Sequence, residues 1–125
     1  MSDTKPPRIL ETKKFAKWVK KARLRASADQ LAVELQSNPT LGDVIPGYSG
    51  LRKVRMGGAG RGKQGGFRVV YTLLIDATEL VLLHGFSKSS QDDLSADELT
   101  SILELATTAE TNFRSAQAAP PTSEQ

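Results

Sequence analysis

Residues 42–71 read GDVIPGYSGLRKVRMGGAGRGKQGGFRVVY and contain six cations but no acid after Asp43. The six cations are Arg52, Lys53, Arg55, Arg61, Lys63 and Arg68. Apolar residues within residues 51–56 and 67–71 could anchor two strands to a core, and the glycine-rich connection between them predicts a loose polar loop. Cationic strands beside glycine-rich backbone are typical of proteins that bind RNA or DNA phosphates.

The composition is that of an ordinary globular protein, with 125 residues, 38% apolar and 25% charged. This length predicts a single domain with its own core. The chain has no cysteine, and His84 is its only histidine. These counts exclude disulfides, a thiolate nucleophile and a multi-histidine metal site, so we expect no metal and no cofactor.

Neither a membrane span nor a secretion signal is visible in the sequence. No apolar run approaches the roughly 18 residues that a membrane-spanning helix needs. The N-terminal sequence MSDTKPPR lacks the apolar stretch of a signal peptide. We therefore expect a cytoplasmic protein with no membrane partner.

Charge is distributed unevenly along the chain. Residues 13–25 contain seven cations and no acid, whereas the chain from Asp76 onward has nine acids and only Lys88 and Arg114 as cations. One end is therefore cationic and the other anionic. The first basic run has two interpretations, a solvated helix face or a direct contact with RNA or the ribosome.

The N-terminal third predicts an edge strand followed by a helical hairpin. Residues 9–10 follow two prolines, which are tolerated just before an edge strand. Apolar residues recur at helical spacing over residues 12–25, with Thr12 as the expected N-cap. A second helix is expected over residues 27–38, because Ser27 has the spacing of a capping box.

Two further segments, residues 67–75 and 79–86, predict an antiparallel pair of strands. The second contains a continuous apolar run and is expected in the interior of the sheet. Ser95 and Glu98 have capping-box spacing and predict the start of a final helix. The predicted fold class is α+β, a small antiparallel β-sheet with an N-terminal helical hairpin and a C-terminal helix.

The predicted domain covers residues 8–115. Residues 1–7 are expected to form a flexible N-terminus. Residues 116–125 are expected to form a disordered tail, because they are polar and broken by prolines.

Two blocks of sequence carry a resemblance to a known family. The first is the stretch of residues 42–71, and the second is LLHGFSKSSQDDLSADEL, residues 82–99. Together they resemble the HigB-like branch of the RelE/ParE superfamily of type II toxins, whose members keep these motifs in the same order and spacing. The resemblance extends over about residues 9–113 and implies a RelE-like fold.

The resemblance implies the toxin of a type II toxin–antitoxin system that acts as an mRNA interferase. Such an endoribonuclease cuts messenger RNA on the ribosome, inhibits translation and is neutralised by a cognate antitoxin, often a helix-turn-helix protein. The 2′-hydroxyl attacks the adjacent phosphate without a metal ion, and side chains transfer the protons. Two alternatives remain open, a ParE-like gyrase inhibitor and a catalytically degenerate member that binds RNA or antitoxin without cutting.

The resemblance also implies a catalytic set. Arg68 is expected to stabilise the charge of the reacting phosphate, because a strand fixes its forked guanidinium. Lys63 and Lys88 are the candidates for proton transfer. Arg61, in the glycine-rich segment, completes the set around the scissile phosphate.

Five further residues are expected to bind RNA: Arg52, Lys53, Arg55, Phe86 and His84. Alternation along a strand places Arg52 and Lys53 on opposite faces, so at least one of these cations does not reach the site. Phe86 stands where the family often has tyrosine, so its ring can only stack. A neutral His84 could accept the 2′-hydroxyl proton, although period-two counting places it beside Leu82 in a structural position.

Other positions also depart from the family pattern and keep the non-cutting alternative open. These are Thr72, Gly85, Ser89 and Ser90. Tyr71 and Trp18 are expected to pack in the core or the wall of the site instead of contacting RNA.

Overall fold

The computed structural model of the chain describes residues 5–48, 50–58, 62–74, 78–89, 91 and 93–118; the side chains of residues 58, 62–65 and 113–118 lie outside this description. The elements are, in chain order, β1 (Arg8–Glu11), α1 (Lys13–Ala22), α2 (Arg25–Ser37), β2 (Asp43–Val44), β3 (Leu51–Gly58), β4 (Gly62–Leu74), β5 (Glu79–Ser87) and α3 (Ala96–Ala118). The described strands form one sheet in the order β1-β5-β4-β3-β2. The predicted α+β class, with its helical hairpin and C-terminal helix, is confirmed.

One edge of the sheet differs from the antiparallel prediction. The pairs β2–β3, β3–β4 and β4–β5 are antiparallel, whereas β1 runs parallel to β5. A tight turn imposes antiparallel pairing, but the chain between β1 and β5 passes through most of the domain, so no turn fixes the direction of β1. The edge position predicted for β1 is confirmed.

The two helices of the hairpin begin differently. Thr12 is the N-cap of α1, as predicted, and its hydroxyl accepts the backbone N–H of Phe15 at 3.0 Å. Helix α2 begins at Arg25, earlier than predicted, and Leu24 at its N-cap makes no side-chain hydrogen bond. The capping box expected at Ser27 is therefore wrong. Burial of Leu24, which is 4% exposed, anchors this end of the helix instead.

The glycine-rich connection is shorter than predicted. Strand β3 continues to Gly58 and β4 begins at Gly62, so part of the expected loop is strand. The short strand β2 adds a further edge strand beside β3. Helix α3 continues to Ala118, and residues 119–125 of the expected tail lie outside the described residues.

The core has one layer on each face of the sheet. On the hairpin face, α1 and α2 pack residues such as Phe15 and Leu35 against Tyr71 and Leu82. On the α3 face, Ile102 and its neighbours pack against strand residues, which are Leu51, Val70, Leu74, Val81 and Leu83. Strand β5 supplies residues to both layers, which confirms its predicted interior position. Among the described residues, no helix is long and apolar enough to span a membrane.

Candidate nucleic-acid interface

The cations of β3 are divided between the two faces of the sheet. Lys53 pairs with Val70 on the α3 face, and Arg55 lies two residues further along that face. Arg52 pairs with Tyr71 on the hairpin face. The predicted separation of Arg52 from Lys53 is confirmed, because side chains alternate along a strand.

Arg52 has a contact of its own, away from the other cations. Its guanidinium Nη1 donates to the carbonyl oxygen of Gly42 at 2.7 Å. Tyr71 holds the same loop, since its hydroxyl donates to the carbonyl of Pro39 at 2.7 Å and accepts the N–H of Gly42 at 2.9 Å. Tyr71 is fully buried, as expected for a core residue. The position of Arg52 therefore does not support its predicted role in RNA binding.

An open groove of about 500 Å³ is lined by residues of α2, β2, β3 and β4 and by residues 41, 88 and 93 of the connecting segments. Four cations line it: Lys53, Arg55, Arg68 and Lys88. The rest of its described wall consists of Glu34, Leu41, Asp43, Val54 and Asp93. Strands β3 and β4 position three of the cations, and the backbone N–H of Lys88 donates to the carbonyl of Gly66 at 3.1 Å just past β5. The fold thus brings four predicted site residues together.

Arg55 and Arg68 are direct partners across β3 and β4. Like charges directly opposite each other in an antiparallel pair destabilise the sheet. Among the described residues, no carboxylate forms an ion pair with either guanidinium. Within the described ranges, the only hydrogen bond of the Arg68 guanidinium is a 3.4 Å contact from Nη1 to the carbonyl oxygen of Phe67. The two guanidinium groups therefore form a site that favours a bound anion.

Lys53 has an acidic partner that the sequence did not indicate. Its Nζ lies 2.9 Å from Oδ1 of Asp93, in the loop that connects β5 to α3. Hydrogen bonds from Lys53 and from the backbone N–H of Leu94 hold the pKa of Asp93 below its usual value, and the charge of Lys88 adds to this effect. No local pattern predicts this contact, since Asp93 and Lys53 are far apart in sequence. Asp93 is thus a residue of the groove that sequence reasoning missed.

Phe86 and His84 lie on the α3 face, beside the cations. Phe86 pairs with Arg68 across β4 and β5 and is only 4% exposed, so it supports Arg68 from within the sheet and offers little surface for stacking. The ring of His84 lies 6.2 Å from that of Phe86. Burial lowers the pKa of His84, the charge of Lys14 lowers it further, and Glu98 opposes the shift. His84 is therefore neutral near pH 7.

The face predicted for His84 is wrong, because β5 contains a bulge. Tyr71 pairs with Leu82, but the preceding Val70 pairs with His84, so Leu83 is an extra residue in the ladder. A bulge shifts the alternation of side chains by one position. It moves His84 from the hairpin face, where Leu82 lies, to the α3 face.

Two predicted catalytic residues fall outside the described structure. Arg61 lies outside the described residues, and so does the side chain of Lys63, although its backbone belongs to β4. Their proposed roles stay predictions. In the described part of the chain, no group of three or more His, Cys, Asp or Glu side chains is placed to hold a metal ion.

A family model described as the RelE toxin of the RelE/RelB toxin–antitoxin system matches residues 7–119. The chain belongs to the RelE toxin family. The resemblance to the RelE/ParE superfamily is thereby confirmed, whereas its HigB-like branch stays a prediction. Membership in this family implies an antitoxin as a partner.

A solved structure of the E. coli toxin RelE supports the same fold. That protein is a mutant with two arginine-to-alanine substitutions, in the free state, and it is similar to this chain with a TM-score of 0.57 at 12% sequence identity. The match covers 81% of this chain and 97% of that chain. The RelE-like architecture is therefore kept at very low sequence identity.

Proposed function

We propose that this RelE-family chain is an mRNA interferase, a ribosome-dependent endoribonuclease that binds the scissile phosphate of messenger RNA in the groove. The observation that carries the proposal is the direct pairing of Arg55 with Arg68 in the wall of the groove. A bound phosphate converts the repulsion between these guanidinium groups into two attractive, forked contacts.

In the proposed reaction, the ribose 2′-hydroxyl attacks the adjacent phosphorus and the 5′-oxygen of the next nucleotide leaves. The attack concentrates negative charge on the phosphate oxygens, which Arg68 and Arg55 stabilise from fixed strand positions. One group removes the 2′-hydroxyl proton and another protonates the leaving oxygen. We assign these transfers to Lys88 and Lys63, with the neutral His84 as a further proton acceptor beside the groove.

The proposal includes the partners and the extent of the active unit. The ribosome presents the messenger RNA, which places the reaction in the cytoplasm. The antitoxin is proposed to be a helix-turn-helix protein whose acidic segment covers the cations of the groove, because opposite potentials favour association. The active unit is proposed to be the predicted domain, residues 8–115.

Replacing Arg68 by alanine tests this function. We expect Arg68→Ala to reduce messenger RNA cleavage by about a hundredfold or more, since removing one preorganised donor for transition-state charge has an effect of this size. The wild type and the variant are induced in a sensitive bacterial host while RNA 5′ ends are mapped and growth is followed. Wild-type cuts are expected at codon-phased positions on translated messages.

Lys5→Ala is the matched control, because Lys5 is an exposed cation that neither lines the groove nor belongs to the basic run of residues 13–25. It should arrest growth and cut messages like the wild type. Growth arrest with intact messages and double-strand breaks at gyrase sites would contradict the proposal and support the gyrase-inhibitor alternative. RNA or antitoxin binding without any cleavage by the wild type would support a degenerate member.

A further inference from the structure

The contact between Lys53 and Asp93 sets one cation of the groove apart from the others. Lys53, Arg55, Arg68 and Lys88 line the same groove, and Asp93 lies in its wall. Of these cations, only Lys53 has a carboxylate partner in the described structure, at 2.9 Å. The charge of Lys53 is therefore already neutralised before any ligand enters.

This ion pair is exposed enough to be exchanged. The side chain of Asp93 is 63% exposed and that of Lys53 is 31% exposed. Exposed ion pairs of this kind contribute little to stability, because water screens them and two long side chains lose freedom. An RNA phosphate beside Arg55 and Arg68 meets several cations at once, so it competes well with a single carboxylate for Lys53.

The loop that carries Asp93 is held by other contacts as well. Oδ1 of Asp93 accepts the backbone N–H of Leu94 at 2.8 Å. The side-chain amide of Gln91 donates to the carbonyl of Asp93 at 2.7 Å and to the carboxylate of Glu98 at 3.1 Å. The loop therefore has contacts that keep it in place when Lys53 turns away from Asp93.

We propose that Asp93 is an internal competitor of RNA phosphate: it occupies Lys53 in the free toxin and lowers the affinity of the groove for RNA. The proposal rests on the proposed function, because it needs RNA phosphate in this groove. Asp93 thus weakens the binding of RNA backbone in general. Only RNA that makes further contacts binds tightly. On release from Asp93, Lys53 adds one phosphate contact to the site.

The test is Asp93→Asn, which removes the charge but keeps an oxygen that accepts the Leu94 N–H. We expect the variant to bind a short single-stranded RNA with 2′-O-methyl groups, which cannot be cleaved at its 2′ position, about fivefold more tightly than the wild type near 50 mM salt. The plot of log affinity against log salt should steepen by about 0.7, the value for one more phosphate contact on a single strand.

Asp29→Asn is the matched control, because Asp29 is also an exposed acid in an ion pair, with Arg25 on α2, away from the groove. It changes the net charge equally and should leave both affinity and salt slope unchanged. Adding Lys53→Met to Asp93→Asn should abolish most of the gain, which shows that the effect acts through Lys53.

The outcomes separate this proposal from the proposed function. If the wild type and Asp93→Asn both fail to bind the RNA at low salt, RNA binding by the groove is wrong, and the competitor role falls with it. If the wild type binds the RNA but Asp93→Asn binds it no more tightly, the competitor role alone is overturned. The same holds if Asp93→Asn keeps its gain in affinity after Lys53→Met is added. A lower melting temperature with an unchanged salt slope would assign the ion pair a structural role only.

Discussion

Gly85 shows how a single residue can depart from the family pattern for a packing reason. A Cβ atom placed on Gly85 would lie 2.1 Å from Cζ3 of Trp18 and 2.4 Å from its Cε3. Trp18 also contacts Phe15 and Phe67, with ring centroids 5.7 and 5.8 Å away. The indole ring of Trp18 on α1 thus lies directly on the backbone of β5, which confirms that Trp18 packs against the core. It also explains why position 85 is glycine, since no side chain fits there.

We expect Gly85→Ala to lower the free energy of unfolding by about 3 kcal/mol, because the added methyl group has no space unless the indole moves. The measurement is urea unfolding followed by circular dichroism. In a Trp18→Leu background, the same substitution should cost much less, since the ring that it meets is gone. Equal costs in the two backgrounds would show that the indole is not the obstacle.

At the scale of the secondary-structure elements, the sequence predicts two capping boxes, of which the one at α3 is confirmed and the one at α2 is wrong. At the start of α3, the hydroxyl of Ser95 accepts the N–H of Glu98 at 3.1 Å, and the carboxylate of Glu98 accepts the N–H of Ser95 at 2.9 Å. At α2, Ser27 lies inside the helix and caps nothing. Spacing alone does not distinguish them, because burial of Leu24 starts α2 two residues before Ser27.

We expect Ser95→Ala to destabilise the protein by about 1 kcal/mol, the usual cost of losing an N-cap side chain. Ser27→Ala, which makes the same chemical change inside a helix, should be neutral or slightly stabilising because alanine has the higher helix propensity. Thermal unfolding of both variants provides the comparison. A cost for Ser27→Ala as large as that for Ser95→Ala would contradict the observed start of α2.

The bulge in β5 also belongs to the scale of single elements, and it changes the face on which His84 lies. The strand itself was predicted from its apolar run, but the extra residue Leu83 is visible only in its pairing with β4. Counting strict alternation along the strand therefore predicts the wrong face of the sheet for His84. A bulge depends on how two strands fit together, which is why the sequence of one strand does not reveal it.

At the scale of the whole molecule, Tyr71 links the sheet to the loop that precedes β2. Burial raises the pKa of its hydroxyl above the ordinary value of 10.0, Asp43 adds to the shift, and the Gly42 hydrogen bond and the charge of Arg52 oppose it. The folded protein therefore holds this proton more tightly than the unfolded chain does. The resulting stability is fully present below about pH 10 and is lost as the pH rises toward the folded-state pKa.

We expect Tyr71→Phe to lower the free energy of unfolding by about 1 to 3 kcal/mol near neutral pH, because Pro39 and Gly42 lose a buried partner. The difference in free energy of unfolding between the variant and the wild type should stay constant up to about pH 10 and become smaller above it. Above that pH the wild type loses the stability that its protonated Tyr71 hydroxyl provides, and the variant has no such hydroxyl to lose. Urea unfolding at a series of pH values measures this. Tyr48→Phe, which leaves both loop contacts intact, is the control and should follow the wild type.

The sequence by itself determined the α+β class, most of the elements and the family, and it named the candidate cations. Local rules carry this information, since alternation, helical spacing and the Thr12 and Ser95 caps depend on near neighbours in the chain. Even the separation of Arg52 from Lys53 follows from alternation along one strand.

Only the tertiary structure decided which cations share a groove and what they meet there. The direction of β1, the bulge that moves His84 and the pairing of Arg55 with Arg68 all depend on contacts between distant strands. The ion pair of Lys53 with Asp93 joins residues 40 positions apart. Such contacts follow from how whole elements pack, which no local pattern specifies, so the sequence names candidate site residues but does not predict their geometry.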